Sequence, residues 1–495
     1  MESSRALPHV YRPRRQSYSS RSGAVSRRRT LAWLVATLVA SVTVAWLIVS
    51  SLRLAGRRQY ARSRRSLVGF TSSRLADVPS DLQSAHLPPA HDLLTHPLLN
   101  ASRPECSMSK IHSERYEPLS PAYGTGRHRQ KSRSRPHTAH DKPRHSLTYF
   151  IALNLYSSST VLPSLIHALH SLVTSLGPER FTISIYENGS KDVTPAQLFL
   201  FAKLLDRIGV GHVIVSSPKP KAMVPGKRIT MLADLRNLAL QPMFDAPPGT
   251  WDRVMFINDV HLCETEIKEL MLQHEVQAAD MSCGMDYKEL AIPELANWTM
   301  TDRTLFYDLW VSRDMAGLPF YKIKYPTGDW ELPSLALPHS NSRDLFQNLL
   351  PFQVYSCFNG ITILDATLFH APHSLRFRAE EQTDIQSECF LICRDMWNML
   401  SKSLGRWGKK GGRGAKIQVV PRVSVAYEVA EFDTVRKDSN TSALIENGEP
   451  GAMEAREMIR WQRWAPKLVA SYPHARWNEE VCHTGVSHEA LMPPD

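Results

Sequence analysis

From residue 147 onward the sequence predicts an α/β fold: a mostly parallel, doubly wound sheet flanked by helices. Three observations predict it. Apolar runs of strand length recur at LTYFIAL (147–153), FTISIY (181–186), VIVS (213–216) and VMFI (254–257). Between them lie segments whose apolar residues repeat at helical spacing. The interval from strand to strand leaves room for the crossover helix that a parallel pair requires.

The elements follow in order. After the first run, Val161, Leu162, Leu165, Ile166, Leu169, Leu172, Val173 and Leu176 fall three or four residues apart, one face of an amphipathic helix. FTISIY is the next strand, ENGSKD its turn, and residues 197–208 a second helix leading to VIVS. In GKRITMLADLRNLALQPM, Ile229, Leu232, Leu235, Leu238 and Ala239 form an apolar face, with Lys227, Arg228, Arg236 and Asn237 off it. Those cations suit a diphosphate, because an arginine offers a planar fork of donors; they also suit a solvated helix face. VMFI ends on Asn258 and Asp259. Ligands of such sheets gather beyond the carboxyl ends of the strands, which makes Asp259 a candidate site residue; Asn and Asp also simply turn chains. Glu264 or Thr265 caps a helix over 266–274, and the strand in ADMSCGMDY (279–287) is expected to end in Asp286. Two strands thus bring carboxylates to one sheet edge.

Ahead of this region the composition differs. Of the 59 Lys and Arg in the 495-residue chain, 25 fall in residues 1–146, against 8 of the 48 Asp and Glu. The net charge of +11 therefore belongs to the front, and the folded part is net acidic. A nucleic-acid binder would carry its basic patch on the folded part, so no nucleic-acid partner is expected. Residues 30–52 contain no charge and end in Trp-bearing flanks (Trp33, Trp46), long enough to cross a bilayer as one helix. A signal peptide would have a shorter apolar core nearer the start. Residues 1–29 then form a basic cytoplasmic tail, because the short arginine-rich side of a first anchor stays in the cytoplasm. Residues 53–146, rich in Arg, Ser, Pro and His, form a flexible basic stem, 147–440 the catalytic domain, and 441–495 a C-terminal extension.

Asn-X-Ser/Thr triplets at Asn100, Asn188, Asn297 and Asn440 are compatible with a lumenal domain. Seven cysteines (Cys106, Cys263, Cys283, Cys357, Cys389, Cys393, Cys482) are too few for a disulfide scaffold, though an oxidising lumen allows one or a few pairs. Cys389 and Cys393 have no partner pair at zinc-finger spacing. A metal-dependent hydrolase would need a denser His/Asp cluster than any short stretch holds.

YENGSKDVT (186–194), LRN (235–237), FINDVHLC (256–263), ADMSCGMDY, FYDLWVSRDMAG (306–317), PFQVYSCFNG (351–360), RFR (376–378) and SECFLICRDMW (387–397), taken in order, resemble the fungal capsule-associated glycosyltransferase family, whose namesake activity is a cryptococcal α-1,3-mannosyltransferase. The resemblance implies a single-pass type II Golgi membrane enzyme with a GT-A-like nucleotide-sugar-binding fold. It implies GDP-mannose as donor, Mn²⁺ or another divalent cation, and retaining α-1,3 transfer to a mannose-containing glycan. On this reading Asp259, Asp286 and Glu388 are catalytic. Glu187, Asn188, Arg236, Asn237 and Asn258 hold the nucleotide, and Asp259 and His261 hold the metal. Tyr287, Asp308, Trp310, Arg313, Asp314 and Asn359 meet the sugars. A hard cation on oxygen ligands stabilises the charge of a departing diphosphate, which is the chemistry such a site needs. Glu388 could instead only pair with an arginine such as Arg378, Trp310 could be core, and His261 could be a solvated loop residue. The motif has one carboxylate where related enzymes have Asp-X-Asp, and Phe358 stands where the family more often has Trp. A glycan at Asn188 would block the cleft, so that triplet is expected to be unused. The competing function is a non-catalytic lumenal scaffold that binds sugar or nucleotide.

Overall fold

The computed structural model describes residues 71–84, 87–100, 103–106, 114–121, 144–289, 304–308, 310–320, 340–380, 386–402, 413–438 and 458–462. The expected tail, the anchor at 30–52 and most of the C-terminal extension lie outside them. No helix among the described residues is long and apolar enough to cross a membrane.

Ten strands form one mixed sheet. They are β1 (Thr71–Arg74), β2 (Tyr149–Leu155), β3 (Phe181–Glu187), β4 (Gly211–Ser216), β5 (Arg253–Ile257), β6 (Met281–Glu289), β7 (Thr304–Phe306), β8 (Phe352–Gln353), β9 (Ile361–Asp365) and β10 (Ile417–Ala426). Their order is β1-β4-β3-β2-β5-β9-β6-β10-β8, with β7 beside β6. The first five are mutually parallel. β9 runs antiparallel between β5 and β6, and β6 is again parallel to β10. The mostly parallel expectation therefore holds for one half, and β9 breaks it in the other. Because β9 is reversed, its entry at Asn359 and Gly360 reaches the same edge as the exits of β5 and β6.

The longer helices among the described residues are α1 (Leu162–Leu176), α2 (Thr194–Ile208), α3 (Arg228–Asp245), α4 (Glu264–Val276), α5 (Ser340–Gln347), α6 (Glu388–Lys402) and α7 (Val429–Asp438). β2 shows why the sheet is covered on both faces. Its alternate residues Tyr149, Ile151 and Leu153 enter one buried cluster with α1, α2 and α4, while Phe150 and Ala152 enter another with α3 and α6. Crossover helices leave neither face to water.

The expected stem needs correction. Within 53–146, β1 pairs with β4, and Leu93, Leu99, Tyr116 and Leu119 are core residues. Arg115 forms a two-pronged ion pair with Glu269 at 2.6 Å, both buried, and Cys106 is disulfide-bonded to Cys263. Sparse apolar residues hid this in the sequence, because the segment is a surface wrap without periodicity of its own. A second disulfide joins Cys283 to Cys357, while Cys389 and Cys393 are buried free thiols.

Candidate active site

The carboxyl edge of the sheet gathers the chemistry. β5 delivers Asn258 and Asp259, and a tight turn follows, Val260 N–H donating to the Asn258 carbonyl at 2.9 Å. Asp259 is exposed, yet it sits low in a recess. Desolvation by the surrounding protein pushes its carboxyl up to about 6, against the pull of Arg236 and Lys288. His261 exchanges backbone hydrogen bonds with Ala426, and its ring is enclosed with Nδ1 unpartnered. Burial pushes that imidazole down to about 4. The turn breaks the extended run that would have set Asp259 and His261 on one side.

β6 supplies Asp286, and the segment after β7 supplies Asp308. The Asp308 N–H donates to Asp286 Oδ1 at 3.2 Å, and the Tyr427 hydroxyl donates to Asp286 Oδ2 at 3.1 Å. Burial, then the charge of Asp308, pushes Asp286 well above the usual carboxylate range; burial pushes Asp308 up to about 6. The charge of Asp308 beside it makes Asp286 the harder of the two to ionise. The entry to β9 supports them. Asn359, at φ 51°, donates its N–H to Asp308 Oδ2 at 3.1 Å and its side-chain amide to the Gly284 carbonyl at 2.9 Å. Gly360, at φ 75°, is needed because a Cβ there would lie 2.6 Å from Val425 Cγ2 and 3.3 Å from Asp286 Cβ.

Opposite stands Arg236 on α3. Its Nε donates to Glu388 Oε1 at 2.9 Å and its Nη1 to Asn258 Oδ1 at 3.2 Å. Its guanidinium carbon lies 4.9, 4.5 and 5.5 Å from the ring centres of Phe256, Phe358 and Phe377. Burial would raise the Glu388 carboxyl, but Arg236 outweighs it and holds the group below its ordinary value. Glu388 is therefore an ionised partner of Arg236. Arg378 pairs instead with Asp395. Phe358 is one wall of the Arg236 cage and is 1% exposed, which removes it from any acceptor surface.

Several expected site residues are placed elsewhere. Glu187 is fully buried; one carboxylate oxygen accepts from the Ser190 N–H and hydroxyl, the other from the Ser216 hydroxyl, so it braces the loop after β3. Asn188 is buried at 8% exposure, and its side-chain oxygen accepts from the Lys221 N–H, so it ties the loop after β3 to the segment after β4. Asn237 exchanges both hydrogen bonds with the Phe377 backbone. Asp314 is buried and accepts from the Ala316 and Leu318 N–H groups, organising a turn. Arg313 packs inward against Phe390. These two are corrected from sugar contacts to structural residues. Trp310 is half-buried. Tyr287 packs edge-on against Phe306.

Three residues not foreseen join the recess. Tyr307 and Tyr427 meet edge to face at 4.9 Å, and Lys288 Nζ lies 5.6 Å from the Tyr307 ring centre. Tyr307 sits inside the block FYDLW, and Tyr427 ends the apolar run VSVAY; neither position carries a spacing signal. Among the described residues no three His, Cys, Asp or Glu side chains converge on a metal position. The open Asp259 carboxylate still fits a cation that arrives already chelated by a diphosphate, since the phosphate oxygens complete an oxygen shell.

The family model described as Cryptococcal mannosyltransferase 1 matches residues 148–395, which include every recess residue except Tyr427. The α-1,3-mannosyltransferase CMT1 of Cryptococcus neoformans var. neoformans serotype D is 32% identical over 344 residues, covering 66% of this chain and 68% of that one. Among solved structures, the mannosyltransferase PcManGT of Pyrobaculum calidifontis, in complex with GDP-Man and Mn²⁺, overlaps with a TM-score of 0.32 at 8% identity, over 70% of this chain and 78% of that one. S. aureus TarS 1-349 overlaps at 0.30 and 14% identity, over 63% and 68%. Overlaps that slight carry no weight for the site.

Proposed function

Since the chain belongs to the cryptococcal mannosyltransferase family, we propose that it moves mannose from GDP-mannose to a mannose-containing glycan, forming an α-1,3 linkage with retention on a GT-A-like scaffold. It is a glycosyltransferase. The observation that carries the reading is the edge itself: one open carboxylate, Asp259, is within reach of the charge of Arg236, which pairs with Glu388, and shares the Tyr427 neighbourhood with Asp286 and Asp308.

The parallel half of the sheet ends in a crevice suited to the nucleoside diphosphate, with Arg228 at the start of α3 as a source of positive charge. A divalent cation on Asp259 would neutralise the charge that builds on the diphosphate as it leaves. Asn258, held by Arg236, keeps the end of β5 in place for that contact. In the transfer the bond from the mannose anomeric carbon to the phosphate oxygen breaks and, on that same face of the sugar so that configuration is kept, a bond to the acceptor oxygen forms. The acceptor hydroxyl gives up its proton, and the Asp286–Asp308 pair is placed to take it. GDP carries away the electron pair of the broken bond. Two disulfides suit an oxidising lumen, and we place the enzyme in the Golgi, anchored through residues 30–52 with its catalytic part lumenal.

The test is a screen of radiolabelled nucleotide sugars against methyl α-mannoside, with and without Mn²⁺, using the purified full chain in detergent. Transfer from GDP-mannose that needs the cation and yields an α-1,3 product is expected. Transfer from another donor alone, or none at all, refutes the reading.

A further inference from the structure

The strand order divides the recess. β1, β4, β3, β2 and β5 form the parallel half, whose carboxyl ends take a nucleotide in sheets of this kind. Beyond β5 lie β9, β6 and β10, and these bring a different set of groups to the same edge. Tyr427 directly follows the last residue of β10, and Ala426 before it is bridged to His261, so the tyrosine is tied to the loop that carries Asp259. Tyr307 directly follows β7, and its N–H donates to the Asp286 carbonyl at 2.9 Å. Both residues are half-buried, so neither is wholly enclosed by the core. Their rings cross at 63° with centres 4.9 Å apart, while the Tyr427 hydroxyl is committed to Asp286 Oδ2. An aromatic edge-to-face pair held by its own hydrogen bond is a rigid apolar surface. It stands next to two carboxyls, at the ends of β7 and β10, which in strand order lie beyond β5 from the parallel half. The apolar face of a pyranose needs such a ring, and its hydroxyls need such acceptors.

We propose that Tyr307 and Tyr427, with Asp286, form the acceptor-sugar subsite: Tyr307 receives a face of the acceptor pyranose, and Tyr427 is a positioning residue that holds Asp286 toward the attacking hydroxyl. The inference rests on the transferase reading above. It adds where the acceptor binds, and it includes a residue beyond the region that the family model matches. The alternative occupant of the rings is the donor's nucleobase, which would place them on the nucleotide side.

Steady-state kinetics with GDP-mannose and methyl α-mannoside separates the cases in the full chain. Tyr307→Leu is expected to raise the acceptor KM about ten-fold with donor KM unchanged, and Tyr307→Phe to restore it. Tyr427→Phe keeps the ring and is expected to lower kcat about ten-fold with both KM values within two-fold. A rise in donor KM instead would assign the rings to the nucleobase and overturn the proposal. So would an acceptor KM and a kcat that stay within two-fold of the wild type in both variants. If the wild-type chain transfers nothing, the functional reading fails by itself. The subsite is then judged by saturation-transfer NMR of methyl α-mannoside, which Tyr307→Leu should abolish; an undiminished signal overturns it. Tyr427→Phe, isosteric in a half-buried position, serves as the folded control should Tyr307→Leu misfold.

Discussion

Removing Arg236 should show that Glu388 serves the guanidinium and not the chemistry directly. The pair is buried, with side-chain exposures of 13% and 3%, and the Nε–Oε1 distance is 2.9 Å. Arg236→Met fills the space between Phe256, Phe358 and Phe377 but takes from the Glu388 carboxylate its paired cation, leaving it the Ser387 hydroxyl, the Cys389 thiol, a backbone N–H and the charge of Arg228. Stranding one buried partner costs about 3 kcal/mol. Glu388→Gln leaves an amide oxygen that still accepts from Arg236 and loses only the charge, at a cost of about 2 kcal/mol. Independent effects would sum to about 5 kcal/mol. The double variant contains neither charge, so a total of about 3 kcal/mol and a coupling of about 2 kcal/mol are expected. Urea denaturation of the four proteins at pH 7 measures the cycle. Losses that add to within about 0.5 kcal/mol would refute the pairing. Full retention of structure with complete loss of transfer in Glu388→Gln alone would return that carboxylate to the reaction.

Asp259→Asn should fold as the wild type, being exposed, and lose transfer by about a hundred-fold; near-normal turnover with unchanged cation dependence would make Asp259 a turn residue only. Glu269 tests the N-terminal wrap: burial would raise its carboxyl, but Arg115 and then Arg422 hold it at about 2, below its ordinary 4.5. That depression stabilises the fold by about 3 kcal/mol above pH 4.5 and is lost as the pH falls toward 2. Arg115→Met should therefore lower the urea midpoint at pH 7 and flatten the acid limb, and an unchanged acid limb would refute it. Gly360→Ala must displace the Val425 side chain, crowd Asp286 Cβ and adopt φ 75°, so a loss of about 2 kcal/mol with reduced kcat is expected; an unchanged melting temperature and kcat would overturn the close-packing argument.

Periodicity alone revealed β2 to β6 and the helices between them, because a chain that crosses a parallel sheet and returns must write both repeats into its apolar residues. The exits of β5 and β6 were legible for the same reason, and with them Asp259 and Asp286. The ordered motifs named the family, which residues 148–395 bear out. Beyond that, contacts between distant segments decided. Glu187, Asn237 and Asp314 have the residue types of a ligand site, but each spends its polar groups on a neighbouring backbone or loop. Whether a carboxylate faces a substrate or its own chain depends on which donors arrive from elsewhere, and no local pattern records that. β9 reverses direction inside the sheet, so Asn359 and Gly360 arrive between two strand exits. Arg115 and Cys106 reach across more than 150 residues to Glu269 and Cys263. Tyr307 and Tyr427 lie 120 positions apart and meet only once β7 and β10 have both paired or packed beside β6. A sequence carries the period of its own local structure; the recess is made of groups whose only common property is where folding puts them.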